Sequence, residues 1–507
     1  MEKLIQEYRN DMAEFIEMTN KFYNKEIPAN QYKGFSGGFG SYAQKGGEAS
    51  MVRLRLPGGV VTKEKLKFIA DKIEQHKISM AHFTTCQTVQ VHNLKPEAIF
   101  DIIDSGLDVG IICRGGGGDN PRNTMVSPLS GVEQGEYFDV LPYAKAVGDY
   151  LVGQIKKIKM PRKLKVCFTN SPKNEVHATF RDCGFVAKEN GKFDVYTAGG
   201  LGNNHKMGVL VDTDVEPKDV LYYVQAMIET FCAYGDYKNR GRARTRYMQE
   251  ILGDGYKAAY LEKLEAVKAR GGLDIDVTIP EITKAGDGQI SGARIIPQKQ
   301  DGLYAVSYHP WAGTPKPEFF GNLYECIKDM DAVEMRIGPE ETVYIINLTA
   351  KEAEKVLAVT DDGAKTSFET SVSCVGATVC QVGVRDSAGT CVKVLEALRP
   401  YDFAEGVLPR FHISGCPSSC GTHQIGKIGF RGGVKKVDGK PVPAFMFYVG
   451  GCDQQGQEVF AQEWGAMTPD EIVAFFIDLG KTISAENTTY DAWFTPEKLK
   501  EVAQKYL

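Results

Sequence analysis

One order of strands and helices occurs twice in this chain, and that repetition restricts the available folds more than any other feature. In the first half, Met51–Leu56 alternates as a strand does and Pro57-Gly58-Gly59 turns. Thr62 is placed to cap a helix carried by Leu66, Ile69, Ala70 and Ile73. Ser79–Thr84 and Thr88–His92 read as strands, and Pro96 opens a helix through Ile103. In the second half, Tyr304–Tyr308 reads as a strand, and Phe319, Leu323, Cys326 and Ile327 outline a helix. Val333–Ile337, a Gly338-Pro339 turn, Val343–Leu348 and a helix from about Ala350 to Leu357 complete the second copy.

Each copy therefore runs strand, helix, strand, strand, helix, the order of a ferredoxin-like split unit. The repetition continues downstream. Pro161-Arg162 matches Pro409-Arg410, each ahead of a strand. Phe193–Ala198 runs into Gly199-Gly200 as Ala444–Val449 runs into Gly450-Gly451, and Pro-started helices follow at Pro217 and Pro469. Thr468-Pro469-Asp470-Glu471 has the form of a capping box. The fold class predicted is α+β, in two tandem halves about a pseudo-two-fold axis, with the join near residues 270–300. A site built by such halves belongs at their interface, where large ligand pockets form.

Composition narrows the function. The chain has 507 residues, 43% hydrophobic and 25% charged, which excludes disorder, collagen and coiled coil as descriptions of the whole. A net charge of -5 excludes nucleic-acid binding by bulk electrostatics. Met1-Glu2-Lys3-Leu4-Ile5 opens no signal peptide, and no stretch approaches the ~20 apolar residues of a membrane span. The expectation is a cytoplasmic protein without membrane partners, whose 12 cysteines are reduced and bind metal where they cluster.

The two copies differ where chemistry is expected. After Pro161-Arg162, Lys163 and Lys165 fall on one face of the expected strand. The matching segment of the second copy contains Cys416-Pro417-Ser418-Ser419-Cys420, preceded by Cys374 and Cys380. Cys-x5-Cys followed by Cys-x3-Cys supplies four thiolates from two short loops, one for each iron of a cubane cluster. Zinc prefers pairs spaced by two to four residues, so the first spacing favours iron–sulfur. Cys113, Cys167, Cys183, Cys232, Cys326, Cys391 and Cys452 have no partner at ligand spacing and read as buried small side chains. His412 and His423, beside the cluster cysteines, read as packing residues.

With these cysteines, several basic motifs resemble the siroheme and [4Fe–4S] sulfite/nitrite reductase family across about residues 40–500. They are Arg53-Leu54-Arg55-Leu56-Pro57-Gly58-Gly59, Asn120-Pro121-Arg122-Asn123, Pro161-Arg162-Lys163-Leu164-Lys165 and Asn239-Arg240-Gly241-Arg242-Ala243-Arg244. The resemblance implies that Cys374, Cys380, Cys416 and Cys420 hold the [4Fe–4S] cluster, with Cys420 also joining it to siroheme iron. It implies that Arg53, Arg122, Lys163 and Lys165 surround the substrate position. Arg240, Arg244 and Gln90 would meet the carboxylate-bearing siroheme. The implied segments are 1–125, an arm and first ferredoxin-like half-domain, and 126–295, a first siroheme-binding α/β domain. They continue as 296–365, a second ferredoxin-like half-domain, and 366–507, an iron–sulfur and siroheme α/β domain.

Where the family commonly has arginines, this chain has His82 and Cys86, and Lys427 and Glu340-Glu341-Thr342 also depart from its pattern. Gly34–Gly40 and Gly115–Gly118 fit neither a dinucleotide fingerprint nor a phosphate loop, and the second reads as a flexible turn before Arg122. Electrons are thus expected from ferredoxin or a separate flavoprotein. The implied activity is six-electron reduction of a small anion, sulfite, to sulfide; the Lys163–Lys165 pair tilts the reading that way. Ammonia-forming nitrite reduction on the same site is the alternative. A non-catalytic iron–sulfur or tetrapyrrole electron-transfer protein is a second.

Overall fold

Period-two patterning in the first copy produces β1 (Ser41–Ala43), β2 (Ser50–Leu54), β3 (Val60–Val61), β4 (Ala81–Phe83) and β5 (Val89–Leu94). The computed structural model describes residues 2–279 and 281–507; Met1, in the expected arm, and Pro280, in the expected join, lie outside the described residues. Strands β1, β2, β5 and β4 pair in that order, all antiparallel. The helix Lys63–Gln75 begins where expected, with Thr62 accepting from Lys65 N, and the helix Pro96–Gly106 starts at its proline.

Next come β6 (Met125–Val126), β7 (Val166–Thr169), β8 (Cys183–Ala187), β9 (Phe193–Thr197) and β10 (Val209–Val215). The second copy supplies β11 (Ile295–Pro297), β12 (Tyr304–Tyr308), β13 (Glu334–Ile337) and β14 (Val343–Leu348). It ends with β15 (Val372–Ser373), β16 (Phe411–Ser414), β17 (Ile428–Val437), β18 (Lys440–Val449) and β19 (Gln462–Met467). Residues 271–294 contain no helix or strand among those described.

The repeat is visible in the sheets. Strands β6–β7–β8 run parallel and β8–β9–β10 antiparallel; β15–β16–β17 and β17–β18–β19 copy that pattern. Each of these sheets is backed by its own hydrophobic cluster. The two ferredoxin-like sheets instead share one core. Leu66, Ile69, Phe83 and Val89 of the first copy pack in the same cluster as Phe320, Leu323, Met335 and Ile345 of the second. Strand β3 crosses over to pair with β13, placing Met335 opposite Val61.

Gln87 fastens this seam. Its backbone has φ +55° and its side chain is fully buried. The amide accepts from Val126 N and donates to Val126 O and Ile337 O, each at 2.8 Å. Glu341 takes the equivalent turn in the second copy, with φ +67°, and accepts from Ser373 N at 3.0 Å. Substituting Gln87→Leu would strand one N–H and two carbonyls in the interior. Thermal and denaturant unfolding of that variant should show a loss of ~3 kcal/mol or more, at about 1–3 kcal/mol for each buried polar group left unpaired.

Candidate active site

Strand register brings the cysteine loops together. Parallel pairing sets Val372 beside His412 and Ser373 beside Ile413, so the chain leaves β15 at Cys374 next to where it leaves β16 for Cys416. The loops then lace together. Val384 N and Arg385 N both donate to Gly415 O at 2.9 Å, Gly415 N donates to Cys374 Sγ at 3.2 Å, and Ser387 Oγ lies 3.1 Å from the same sulfur. No side chain fits at Gly421, where a Cβ would meet Ile413 O at 2.1 Å.

Burial pushes the Cys420 thiol up, Lys163 pulls it down, and Cys416 and Cys380 push it up again. Burial and Cys420 together raise Cys374 to about 12. The four thiols therefore share one electrostatic neighbourhood. Cys420 is nonetheless exposed. Thr85 Oγ1 donates to Cys420 O at 2.7 Å and ties this loop to the β4–β5 turn of the other half. Among the described residues, no three His, Cys, Asp or Glu side chains close around a single metal ion. A cubane offers four irons, one to each thiolate, and does not require such closure.

Cations converge on the same space. Electrostatic coupling links Lys163 to Arg244, Arg122, Lys165 and Cys420; after burial, the three cations drive its pKa well down. Burial lowers Arg122 to about 10, with Arg53 and Arg244 contributing. Glycine carbonyls hold the arginines. Arg53 Nη1 donates to Gly116 O at 2.5 Å; Arg122 donates to Gly116 O at 3.0 Å and Gly118 O at 2.7 Å. With its amide oxygen turned toward Arg53, Gln90 accepts from Nη2 at 2.7 Å and Nε at 3.2 Å, and donates to His92.

Two expectations change. Gly115–Gly118 is a fixed clamp for these arginines. A Cβ on Gly117 would meet Gly37 O and the Tyr42 hydroxyl at 2.4 Å, and Gly118 N donates to that hydroxyl at 2.6 Å. Lys163 and Lys165 precede the regular strand, which starts at Val166. Leu164 makes only an isolated bridge to Pro121, because a proline has no N–H with which to extend the ladder.

Of the other candidates, Arg240 is turned outward in an ion pair with Asp119, at 2.7 Å and with a side chain 62% exposed. Arg244 points inward to Asp182 at 3.0 Å. Sequence patterning gave no sign of Asp182, which is fully enclosed and also accepts from Lys165 N at 2.8 Å and from Thr245 Oγ1. Arg246, which closes a basic run that could read as a plain helix start, is buried and donates to Asn203 O at 2.9 Å. Its place two residues beyond Arg244 was the available signal. His412 and His423 are both lowered by burial to about 3, so they are neutral packing residues. His82, lowered by burial to about 4, lies 3.7 Å from the buried Glu341, and Lys427 pairs with Asp491.

The donor set suits the implied cofactors. Arg122 Nε, Arg244 Nε and Arg246 Nη1 are buried without a hydrogen-bond partner, as is Asn123 Oδ1. Unpartnered guanidinium N–H groups around an internal space are what a carboxylate-bearing ring would satisfy. The four thiols suit an iron–sulfur cluster.

Known proteins resemble the chain across both halves. Residues 42–106 match the nitrite/sulfite reductase ferredoxin-like half domain, and residues 117–256 the nitrite and sulphite reductase 4Fe-4S domain. The latter match falls on the copy without the four clustered cysteines. The chloroplastic ferredoxin–nitrite reductase of Arabidopsis thaliana is 25% identical over 418 residues, covering 79% of this chain and 70% of that protein. The sulfite reductase [NADPH] hemoprotein beta-component of Tolumonas auensis is 24% identical, covering 83% and 80%. The solved structure of the Mycobacterium tuberculosis NirA protein superposes with a TM-score of 0.78 at 23% identity, covering 92% of this chain and 90% of NirA, and shares the fold.

Asp182→Asn would leave the Arg244 charge buried and uncompensated. Denaturant unfolding should register a loss of ~3–5 kcal/mol, whereas removing the exposed pair with Arg240→Ala should cost less than ~1 kcal/mol.

Proposed function

The chain belongs to the siroheme and [4Fe–4S] nitrite and sulfite reductase family, and from that premise we propose that it reduces sulfite to sulfide with electrons from a separate donor protein. The observation that carries the reading is the meeting of Lys163 and Lys165 with Cys420 in one electrostatic neighbourhood, with Arg122 and Arg53 beside them. Cys374, Cys380, Cys416 and Cys420 would hold the cluster, with Arg244 and Arg246 offering N–H groups to siroheme carboxylates. When bound, these cofactors would supply the iron centre and relay the donor's electrons to it.

The protein's own groups bind and orient the anion and hold protons for it. Arg122 is fixed by two glycine carbonyls and keeps further N–H groups free for an oxyanion. Fixed donors cost no reorganisation when charge develops, which is how preorganised sites favour a transition state. Lys163 is suited to give up a proton, because burial and neighbouring cations disfavour its charged form. Arginine stays charged and serves only to position.

Nitrite reduction to ammonia is the second reading, supported by the names of several relatives, including the ferredoxin–nitrite reductases of Arabidopsis thaliana and Synechococcus elongatus. Ferredoxin, or a flavoprotein as the name of the Tolumonas protein's NADPH-dependent enzyme allows, is the proposed donor. No helix among the described residues is long and apolar enough to cross a membrane; a cytoplasmic location is part of the proposal.

Protein purified without oxygen from siroheme-replete cells should show a siroheme absorption band and bound iron. Turnover of sulfite and of nitrite with reduced viologen then ranks the two substrates; faster nitrite turnover would reverse our order. Lys163→Ala and Arg122→Ala should each lower kcat/KM by roughly 100-fold or more while cofactor content stays intact. Absence of turnover of either anion by the cofactor-loaded wild type would instead favour an electron-transfer protein, and unchanged turnover in both variants would remove Lys163 and Arg122 from the catalytic set.

A further inference from the structure

Cys86 takes no part in the reading above, yet its thiol meets one of the proposed catalytic lysines. It sits on the β4–β5 turn, whose flanks are pinned by Thr85 to Cys420 O and by Gln87 to β6. The turn therefore cannot easily withdraw the thiol. Lys165 Nζ donates to Cys86 Sγ at 3.1 Å. Among the described residues, no carboxylate lies in salt-bridge range of Lys165 Nζ. Asp182 instead binds the Lys165 backbone N–H, Arg244 and Thr245.

The surroundings are strongly one-signed. Lys165 faces the thiol from the segment before β7, Arg181 from the loop before β8, Arg53 from β2 and Arg122 from the loop before β6. Arg244, Arg181 and Lys163 act on Lys165, Cys420 interacts with it, and Asp182 and Cys167 are further titratable groups nearby. The apolar wall consists of Met125, Val176, Ala178 and Val186. Burial pushes the Cys86 thiol up, but Lys165, Arg181 and Arg53 outweigh it and bring it to about 6. A separate observation fixes the backbone of Cys86 beside an unpartnered polar atom. Asn123, only 4% exposed, donates to Cys86 O at 3.0 Å while its Oδ1 is left without a partner.

We propose that Cys86 is the built-in counter-ion of Lys165, a positioning residue whose thiolate keeps the Lys165 ammonium charged and aimed within the anion-binding space. The thiol proton passes to the lysine amine, giving a thiolate–ammonium pair of zero net charge without oxidant or reductant. The catalytic consequence rests on the reductase reading; the pair itself does not. Burial lowers the Lys165 pKa and Cys86 raises it. Removing the sulfur therefore makes Lys165 lose its proton at lower pH.

Iodoacetamide labelling of the purified full-length chain, resolved by peptide mass spectrometry across pH 5–9, tests the pair without turnover. Cys86 should label with a midpoint near 6, moving toward the ordinary thiol value of about 8.5 in Lys165→Met and staying low in Lys165→Arg. A wild-type midpoint near that ordinary value, or one that Lys165→Met leaves in place, overturns the pair. On the loaded enzyme, Cys86→Ala should shift the alkaline fall of kcat/KM about one unit lower, and Cys86→Asp should restore it. An unshifted profile in Cys86→Ala overturns the positioning role. Failure of the enzyme to turn over either anion would count against the reductase reading and leave the labelling result standing.

Discussion

Positive charge held out of bulk water is the condition on which the rest of this structure depends. An uncompensated buried cation costs several kcal/mol, so each needs a partner supplied by the fold. Arg55 illustrates the solution: it is 1% exposed and donates to the carbonyls of Pro121 at 3.1 Å and Arg122 at 2.7 Å. It thereby fixes the loop that presents Arg122. Asp182 does the same for Arg244 and for the backbone of Lys165. Most of these partners are neutral carbonyls, which leaves the space net positive and ready for an anion.

The pseudo-two-fold scaffold explains how one such space can be built while its twin is closed. Both halves use the same strand order and the same left-handed turn at Gln87 and Glu341. The contents differ. The first copy places Lys163 and Lys165 ahead of β7, where the second places Phe411 and Ile413 in β16, both fully buried in an apolar cluster. Arg410, the counterpart of Arg162, is held by Glu340 at 2.6 Å. In the second copy an ion pair and apolar side chains fill the region that the first copy leaves open to cations.

Much of the scaffold was legible in the residues. Thr62, Pro96, Thr468 and the Gly-Gly turns are local signals, because a cap or a turn is decided by contacts only a few residues apart. The cysteine spacing was equally plain. The role of Gly115–Gly118 was not, because it depends on Gly37 and Tyr42, distant in sequence. The outward direction of Arg240 and the inward direction of Arg244 were also hidden, since Asp119 and Asp182 decide them from other loops. Cys86 stood out as a departure from the family pattern, but its lysine partner lies 79 residues away.

By itself, the sequence determined the duplicated α+β plan, the element order of each copy and the four clustered thiols. Those features rest on periodicity, capping and spacing, which act along the chain. Only the tertiary structure decided that β3 would join the opposite half, that the two ferredoxin-like units would share one core, and which cations face the thiols. It also turned Cys86 from an unplaced substitution into the partner of Lys165. The reason is physical: the charge state and direction of a buried side chain are set by desolvation and by neighbours brought together across the fold, and neither is encoded in the residues beside it.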